Sequence, residues 1–163
     1  MKAEFLNPFV YAVLRVLSSE AGLKKSVPGK PYLIRADATL HAVNVVIGVV
    51  GTVQGLVVYG MELFMAKGII KAMAGVEIPI TDPMAESAIS ELANLVTGVA
   101  SGTLEGNGYP CRILPPVMVK GTAVRISTVS IPMVAVPIST ELGEMKIYLG
   151  LNEQKAMVSS ARR

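Results

Sequence analysis

The feature that most constrains the fold is an uncharged stretch of residues 38–61, between Asp37 and Glu62. A run of this length is sufficient for a helix that crosses a bilayer. Its bulk, however, is Val and Ile, the β-branched residues that favour strands. Four glycines interrupt it: Gly48, Gly51, Gly55 and Gly60. We therefore predict two strands around a turn near residues 52–55, and no insertion into a membrane.

The composition narrows the class of protein. Of 163 residues, 52% are apolar and 17% are charged, which suits one folded domain and excludes global disorder. The net charge of +3 is small and the basic residues are scattered, so we expect no nucleic-acid partner. One cysteine and one histidine exclude an internal disulfide and a His/Cys zinc site, so we expect no metal bound by this chain. Glu4 and Pro8 interrupt any signal-peptide pattern, which together with the cysteine usage indicates a cytoplasmic location.

Helix signals and apolar periodicity predict three helices. Asn7 as N-cap and Pro8 at the first helical position begin a helix over 8–20. A second helix is expected over 62–73, and a third begins with Asp82 as N-cap and runs to about residue 104. Six strands are predicted around them: about 32–36, 41–50, 55–61, 117–120, 124–136 and 144–151.

The two halves of the chain, about 1–75 and 82–151, resemble each other. Each reads as a helix, a Pro-rich segment, a short strand, a long apolar strand, a turn and a strand. Duplication of one α-β-β-β unit explains this order; a chance resemblance of two αβ segments is the alternative. Long strands joined by tight turns favour antiparallel pairing, so we predict a single α+β domain over 1–151 with helices packed on one face of the sheet. Residues 152–163 are expected to form a polar tail that frays.

One stripe of the third helix points to chemistry. At helical spacing, Ser87, Glu91, Asn94 and Gly98 lie together, opposite an apolar face. Asn and Gly both weaken a helix interior, and capping does not explain them because Asn94 lies near the middle. A surface for a partner explains them, since Gly98 admits close approach while Glu91 and Asn94 reach outward. The alternative is that these are ordinary solvated residues.

In this context the sequence resembles the CheC/CheX/FliY family of chemotaxis phosphatases, and its CheX-like members in particular. The resemblance covers nearly the whole chain, including the order of the two halves. The residues that carry it are Ser87-x-x-x-Glu91-x-x-Asn94 on a helix, then Pro115-Pro116 and Val119-x-Gly121, with Asn7-Pro8-Phe9 and Gly29-Lys30-Pro31 near the N-terminus.

The resemblance implies a phosphatase that acts on the aspartyl phosphate of a CheY-type response regulator. By the family pattern, Asn94 positions the attacking water, and Glu91 pairs with a lysine of the regulator. Ser87 and Gly98 are then flanking contacts for the partner. The regulator is expected to carry Mg²⁺, and this chain no cofactor of its own. The alternative function is a non-catalytic module that binds a response regulator or the flagellar switch.

The resemblance also bears on the number of sites and on assembly. CheC-like members carry Glu-x-x-Asn in both halves, whereas CheX-like members carry it once. A second match, Glu4-x-x-Asn7, is present here, but Asn7 precedes Pro8 and is predicted to be an N-cap outside the helix. We therefore predict one site, at Glu91 and Asn94. CheX-like proteins generally act as homodimers, and we expect a homodimer through a sheet edge.

Overall fold

The computed structural model describes residues 1–34, 38–128 and 132–154. Within these ranges there are three helices: α1 (Ala3–Ala21), α2 (Leu63–Ala74) and α3 (Pro83–Gly106). The strands of the first half are β1 (Val27–Pro28), β2 (Tyr32–Ile34), β3 (Ala38–Thr39), β4 (Val43–Gly51) and β5 (Val53–Met61). Those of the second half are β6 (Cys111–Ile113), β7 (Val117–Lys120), β8 (Arg125–Ile126), β9 (Met133–Thr140) and β10 (Gly143–Glu153).

The main sheet is antiparallel throughout. Its order is β1-β9-β10-β5-β4-β6, while β2 also pairs with β9 and β7 with β4. The uncharged stretch forms the β4–β5 hairpin, with Val43 opposite Met61 and Val49 opposite Gly55, so the predicted strand pair is confirmed. No helix in the described ranges is both long and apolar enough to cross a bilayer.

The two halves of the chain have the same pattern of strand pairing. The β4–β5 and β9–β10 hairpins meet through β5 and β10 at the centre of the sheet. The short strands cross over: β1 and β2 of the first half pair with β9, β6 and β7 of the second half pair with β4, and β3 pairs with β8. These pairings interlock the halves: in the described ranges β1, β2, β6 and β7 join the eight-stranded main sheet, whereas β3 and β8 form a separate two-stranded sheet. That the halves arose by duplication remains a prediction.

One main core lies between the helices and one face of the sheet. It extends from Phe5 on α1 to Leu151 on β10, and includes buried residues of all three helices. Alternation along the central strands sends Val57, Tyr59 and Met61 to this core and Val58 to the opposite face. The predicted α+β class, an antiparallel sheet with helices packed on it, is confirmed.

The predicted start of the first helix is wrong. Helix α1 begins at Ala3 with Lys2 as N-cap, so Asn7 lies inside the helix and Pro8 is its sixth residue. The missing Pro8 N–H removes one intrahelical bond. Burial of Phe5, whose ring meets Tyr109 edge-on at a centroid distance of 5.0 Å, stabilises the extra turn instead.

The other predicted elements differ mainly at their ends. Helices α2 and α3 lie within two residues of their predicted bounds, and the Asp82 carboxylate accepts a hydrogen bond of 2.8 Å from the Met84 backbone N–H as an N-cap. The strand predicted over 124–136 is instead two strands, β8 and β9, and residues 129–131 lie outside the described ranges. Strand β10 continues to Glu153, into the predicted tail, while residues 155–163 lie outside the described ranges. Strands β1, β3 and β6 were not predicted.

Candidate functional site

Helix α3 presents the stripe predicted from the sequence. Its buried side chains are Ala85, Ile89, Leu92, Ala93, Val96, Thr97, Ala100 and Leu104. On the other side Ser87, Glu91 and Gly98 are exposed, whereas Asn94 is half-buried. Glu91 and Asn94 are separated by about 4.5 Å along the helix axis, at 1.5 Å per residue. The stripe is therefore one continuous surface, on which Asn94 is less exposed than its neighbours Glu91 and Gly98.

The acidic and amide groups of this stripe are available to a partner. In the part of the chain that the structure describes, neither the Glu91 carboxylate nor the Asn94 amide has a hydrogen-bond or ion-pair partner. An Asn amide both donates and accepts hydrogen bonds, and an ionised carboxylate accepts them. The pair therefore offers one group that can orient a water molecule and one that can bind a cation, a turn apart.

Gly98 keeps the stripe open. A Cβ atom added at Gly98 would meet nothing within 4 Å, so the packing of this chain does not require glycine there. A glycine in a helix interior costs about 1 kcal/mol relative to alanine. Gly102, one turn farther along α3, is open in the same way, so Gly98 is one of two exposed glycines on this helix with room for close approach.

A buried hydroxyl pair fixes the turn that carries Asn94. Tyr59 on the central strand β5 lies 2.8 Å, Oη to Oγ1, from Thr97, and the Thr97 hydroxyl donates to the backbone carbonyl of Ala93 at 2.7 Å. Burial raises the pKa of the Tyr59 hydroxyl above its ordinary value. This anchor was not predicted, because a threonine beside an exposed stripe is typical of a solvated position. It holds α3 against the sheet one turn beyond Asn94.

The N-terminal end of α3 is tied down at the surface. The Lys120 ammonium on β7 pairs with the Glu86 carboxylate and donates a 3.4 Å hydrogen bond to the Ile80 carbonyl. Both side chains of the pair are partly exposed, so it contributes little to stability. Its effect is to join the segment after Pro115-Pro116 to the first turn of α3.

The surroundings of the stripe do not suggest a metal or small-molecule site. Among the described residues, no group of three or more His, Cys, Asp or Glu side chains is close enough to hold a metal ion. A cavity of about 690 Å³ lies beside α2, lined by Phe64, Lys67 and Ile78 among others, and none of the stripe residues lines it. The stripe is a helix surface, which suits a macromolecular partner.

The structure also places the second Glu-x-x-Asn match on a helix. Glu4 and Asn7 are both exposed on α1, so the prediction that Asn7 lies outside the helix is wrong. Their surroundings differ from those of Glu91 and Asn94, because the Glu4 carboxylate accepts a 2.9 Å hydrogen bond from the Tyr109 hydroxyl.

Comparison with known proteins identifies the family. A family model described as chemotaxis phosphatase CheX matches residues 43–139, which include all of α3. The CheY-P phosphatase CheX of Thermotoga maritima is 29% identical over 140 residues, covering 85% of this chain and 89% of that protein.

Solved structures of CheX proteins have the same fold as this chain. A crystal structure of chemotaxis protein CheX from Desulfovibrio desulfuricans is similar with a TM-score of 0.82 and 28% identity, over 93% of this chain and 99% of that one. CheX from Borrelia burgdorferi, solved as a CheX–CheY–BeF3–Mg²⁺ complex, shares the fold with a TM-score of 0.78 and 23% identity, over 91% of this chain and 98% of that one. The chain belongs to the CheX family of chemotaxis phosphatases.

Proposed function

We propose that this protein accelerates the dephosphorylation of the aspartyl phosphate of a CheY-type response regulator. The observation that carries the proposal is the pair Glu91 and Asn94, unpartnered within the described residues and held on a rigid helix of a CheX-family chain. The Thermotoga maritima relative is a CheY-P phosphatase, which supports the same activity here.

The reaction needs little from this chain. A water oxygen attacks the phosphorus, the P–O bond to the regulator's aspartate breaks, and the hydroxyl and proton of the water end on inorganic phosphate. Such transfers depend mainly on positioning and on charge stabilisation. In this proposal Mg²⁺ is bound by the regulator and stabilises the charge on the phosphoryl oxygens.

Each residue of the stripe then has a role. The Asn94 amide accepts a hydrogen bond from the attacking water and holds it in line with the breaking bond. Glu91, one turn earlier, pairs with a lysine of the regulator and fixes the docking register. Ser87 contacts the partner beside Glu91, and Gly98 lets its backbone approach. The Tyr59–Thr97 anchor limits the movement of Asn94, which matters because misplacement by about 1 Å can cost about a hundredfold in rate.

The deciding experiment is the rate of phosphate release from a phosphorylated CheY-type regulator with Mg²⁺. We expect wild type to accelerate release, Asn94→Ala to lose about a hundredfold of that acceleration, and Asn152→Ala, an exposed asparagine on β10, to behave as wild type. No acceleration by wild type, or a fully active Asn94→Ala variant, contradicts the proposal. Association with the regulator without any acceleration would instead indicate the adaptor function.

We also propose that the protein forms a homodimer and is located in the cytoplasm. Val27 on β1 and Leu33 on β2 are 61% and 72% exposed at one side of the sheet, where strand pairing with a second copy would cover them. Light scattering should give twice the chain mass of 17.2 kDa. A monomer at micromolar concentration contradicts the dimer but leaves the phosphatase proposal intact.

A further inference from the structure

Arg15 is the one basic residue on helices α1 and α3, whose other charged residues are all glutamates. It is exposed, and in the described ranges its guanidinium has no ion-pair or hydrogen-bond partner. The residues three and four positions away along α1 are Tyr11, Ala12, Ser18 and Ser19, so no carboxylate of that helix lies at the spacing of a helical ion pair. Within the described residues Arg15 is therefore an unpaired cation at the surface.

The packing of the two helices sets the height of Arg15. Phe5 near the start of α1 meets Tyr109 just after the end of α3. Farther along α1, Val13 and Leu17 line a cavity of about 10 Å³ together with four residues from an earlier part of α3: Ile89, Leu92, Ala93 and Val96. The two helices are therefore antiparallel. Arg15, midway between Val13 and Leu17 in sequence, is level with the turn of α3 that carries the Glu-x-x-Asn pair.

Helical periodicity places Arg15 on the side of α1 that borders α3. Pro8 and Arg15 are seven residues apart, which is within about 20° of two complete turns. The two residues therefore share one side of α1. Pro8 lines a surface depression together with Thr103 and Asn107 of α3, so this side is the one next to α3.

The same geometry shows which group of the stripe on α3 lies nearest to α1. Around the helix axis Thr97, which bonds to the sheet, is about 60° from Asn94 in one direction, and Glu91 is about 60° from Asn94 in the other. Thr103, on the side of α1, is about 120° beyond Glu91. Glu91 therefore lies between Asn94 and α1, and the amide, the carboxylate and the guanidinium of Arg15 follow one another across the helix pair.

This row presents charges of opposite sign to one partner. The axes of packed helices are about 8–10 Å apart, so the guanidinium lies roughly one helix width from the Glu91 carboxylate. A guanidinium presents N–H groups in a planar fork that matches the two oxygens of a carboxylate. Two contacts of opposite sign select the orientation of a docked protein as well as its position.

We propose that Arg15 binds a surface carboxylate of the phosphorylated regulator and is the second electrostatic contact of the docking surface, beside Glu91. The inference rests on the proposed function, because the partner is the same regulator. The guanidinium is separated from Asn94 by the width of the helix pair. It therefore acts on docking and orientation, and the attacking water is left to Asn94.

The test is titration with a BeF₃⁻-activated regulator at low salt. Arg15→Glu should bind about tenfold more weakly than wild type, and Arg15→Lys, which keeps the charge, should lose less. The loss for Arg15→Glu should shrink at high salt, because exposed charges are screened. The matched control is Arg125→Glu, which alters an exposed arginine on β8, on the face of the sheet away from the helices, and should bind as wild type.

The partner carboxylate can be found by charge exchange. Acidic surface residues of the regulator around its phosphorylated aspartate are replaced by lysine one at a time, and one of these variants should restore the affinity of Arg15→Glu. No restoration by any of them overturns the inference, as does wild-type affinity for Arg15→Glu or an equal loss for Arg125→Glu.

The rate of phosphate release at saturating concentration separates docking from chemistry. Arg15→Glu should then release phosphate as fast as wild type, because only affinity is impaired. A slower rate at saturation would assign Arg15 to the chemical step and overturn the docking role. Failure of the proposed function is distinct, because wild type would then bind the regulator without accelerating phosphate release.

Discussion

Helices α1 and α3 carry the same Glu-x-x-Asn motif, and the difference between them lies in the neighbours. They pack against each other, with Phe5 near the start of α1 meeting Tyr109 just after the end of α3. On α3 the pair is bordered by an open glycine and has no partner in the described residues; on α1 it is bordered by Tyr11 and bonded to Tyr109. Motif spacing sets which groups are presented, and the next turn decides whether they are accessible.

The largest effect is expected from reversing the charge on α3. Glu91→Lys places a cation opposite the regulator's lysine. The affinity for the regulator should fall by about a hundredfold or more, because two like charges facing each other at an interface cost several kcal/mol. Calorimetric titration with a BeF₃⁻-activated regulator measures this. Glu105→Lys, on the same helix and also exposed, is the matched control and should bind nearly as wild type. Equal losses in both variants would mean a general charge effect instead.

A smaller effect is expected from placing a tyrosine four residues after Asn94, as Tyr11 lies four residues after Asn7. Gly98→Tyr should weaken regulator binding by about tenfold, because the ring covers the turn of Asn94 as Tyr11 covers that of Asn7. The fold should not suffer, since the added Cβ meets open space and tyrosine is a better helix former than glycine. Gly102→Tyr, one turn farther along, should have a weaker effect. Unchanged affinity for Gly98→Tyr would contradict the assigned role of the glycine.

The third expected effect is on stability and concerns the Tyr59–Thr97 anchor, which α1 lacks. Thr97 lies three residues after Asn94, whereas the residue three positions after Asn7 on α1 is the apolar Val10. Tyr59→Phe removes one buried hydrogen bond while the Thr97 hydroxyl keeps its bond to Ala93, so the free energy of unfolding should fall by about 1 kcal/mol. Urea denaturation measures this. Tyr148→Phe is the control, with no side-chain hydrogen bond recorded for Tyr148 among the described residues, and a loss as large there would remove the special role of the anchor.

The smallest effect is a pH dependence of stability. Burial raises the pKa of Tyr59 above the ordinary value of about 10, and that of Tyr148 to about 12. The unfolded tyrosines lose protons first, so their contribution is complete below pH of about 10 and declines as the pH rises toward the folded-state pKa values. Denaturation between pH 8 and pH 11 should show Tyr59→Phe losing less stability than wild type. Parallel pH profiles would contradict this.

Local signals in the sequence predicted the elements whose causes are local. Asp82 marks the start of α3 through its capping carboxylate and Pro83 through its fixed φ, and the Val/Ile stretch with its glycines marked the β4–β5 hairpin. The start of α1 depends instead on Phe5 meeting Tyr109, far along the chain, which no local pattern contains. Strands β1, β3 and β6 are two or three residues long and exist only because a partner strand lies beside them.

The candidate site also has features with local causes and features with tertiary causes. Helical spacing is local, so it was sufficient to place Ser87, Glu91, Asn94 and Gly98 on one stripe. The half-burial of Asn94 and the Tyr59–Thr97 anchor depend on how α3 rests on β5, which is a tertiary property. The prediction for Asn7 is wrong because the burial of Phe5 outweighs the preference of a residue before proline for extended backbone.

The most direct test of the central claim is single-turnover decay of the regulator's aspartyl phosphate with this protein at saturating concentration. Under that condition affinity no longer limits the rate, so the measurement reports the chemical step alone. We expect Asn94→Ala to slow decay to nearly the rate of the regulator by itself. Decay with saturating Asn94→Ala as fast as with wild type would contradict the claim that this amide positions the attacking water.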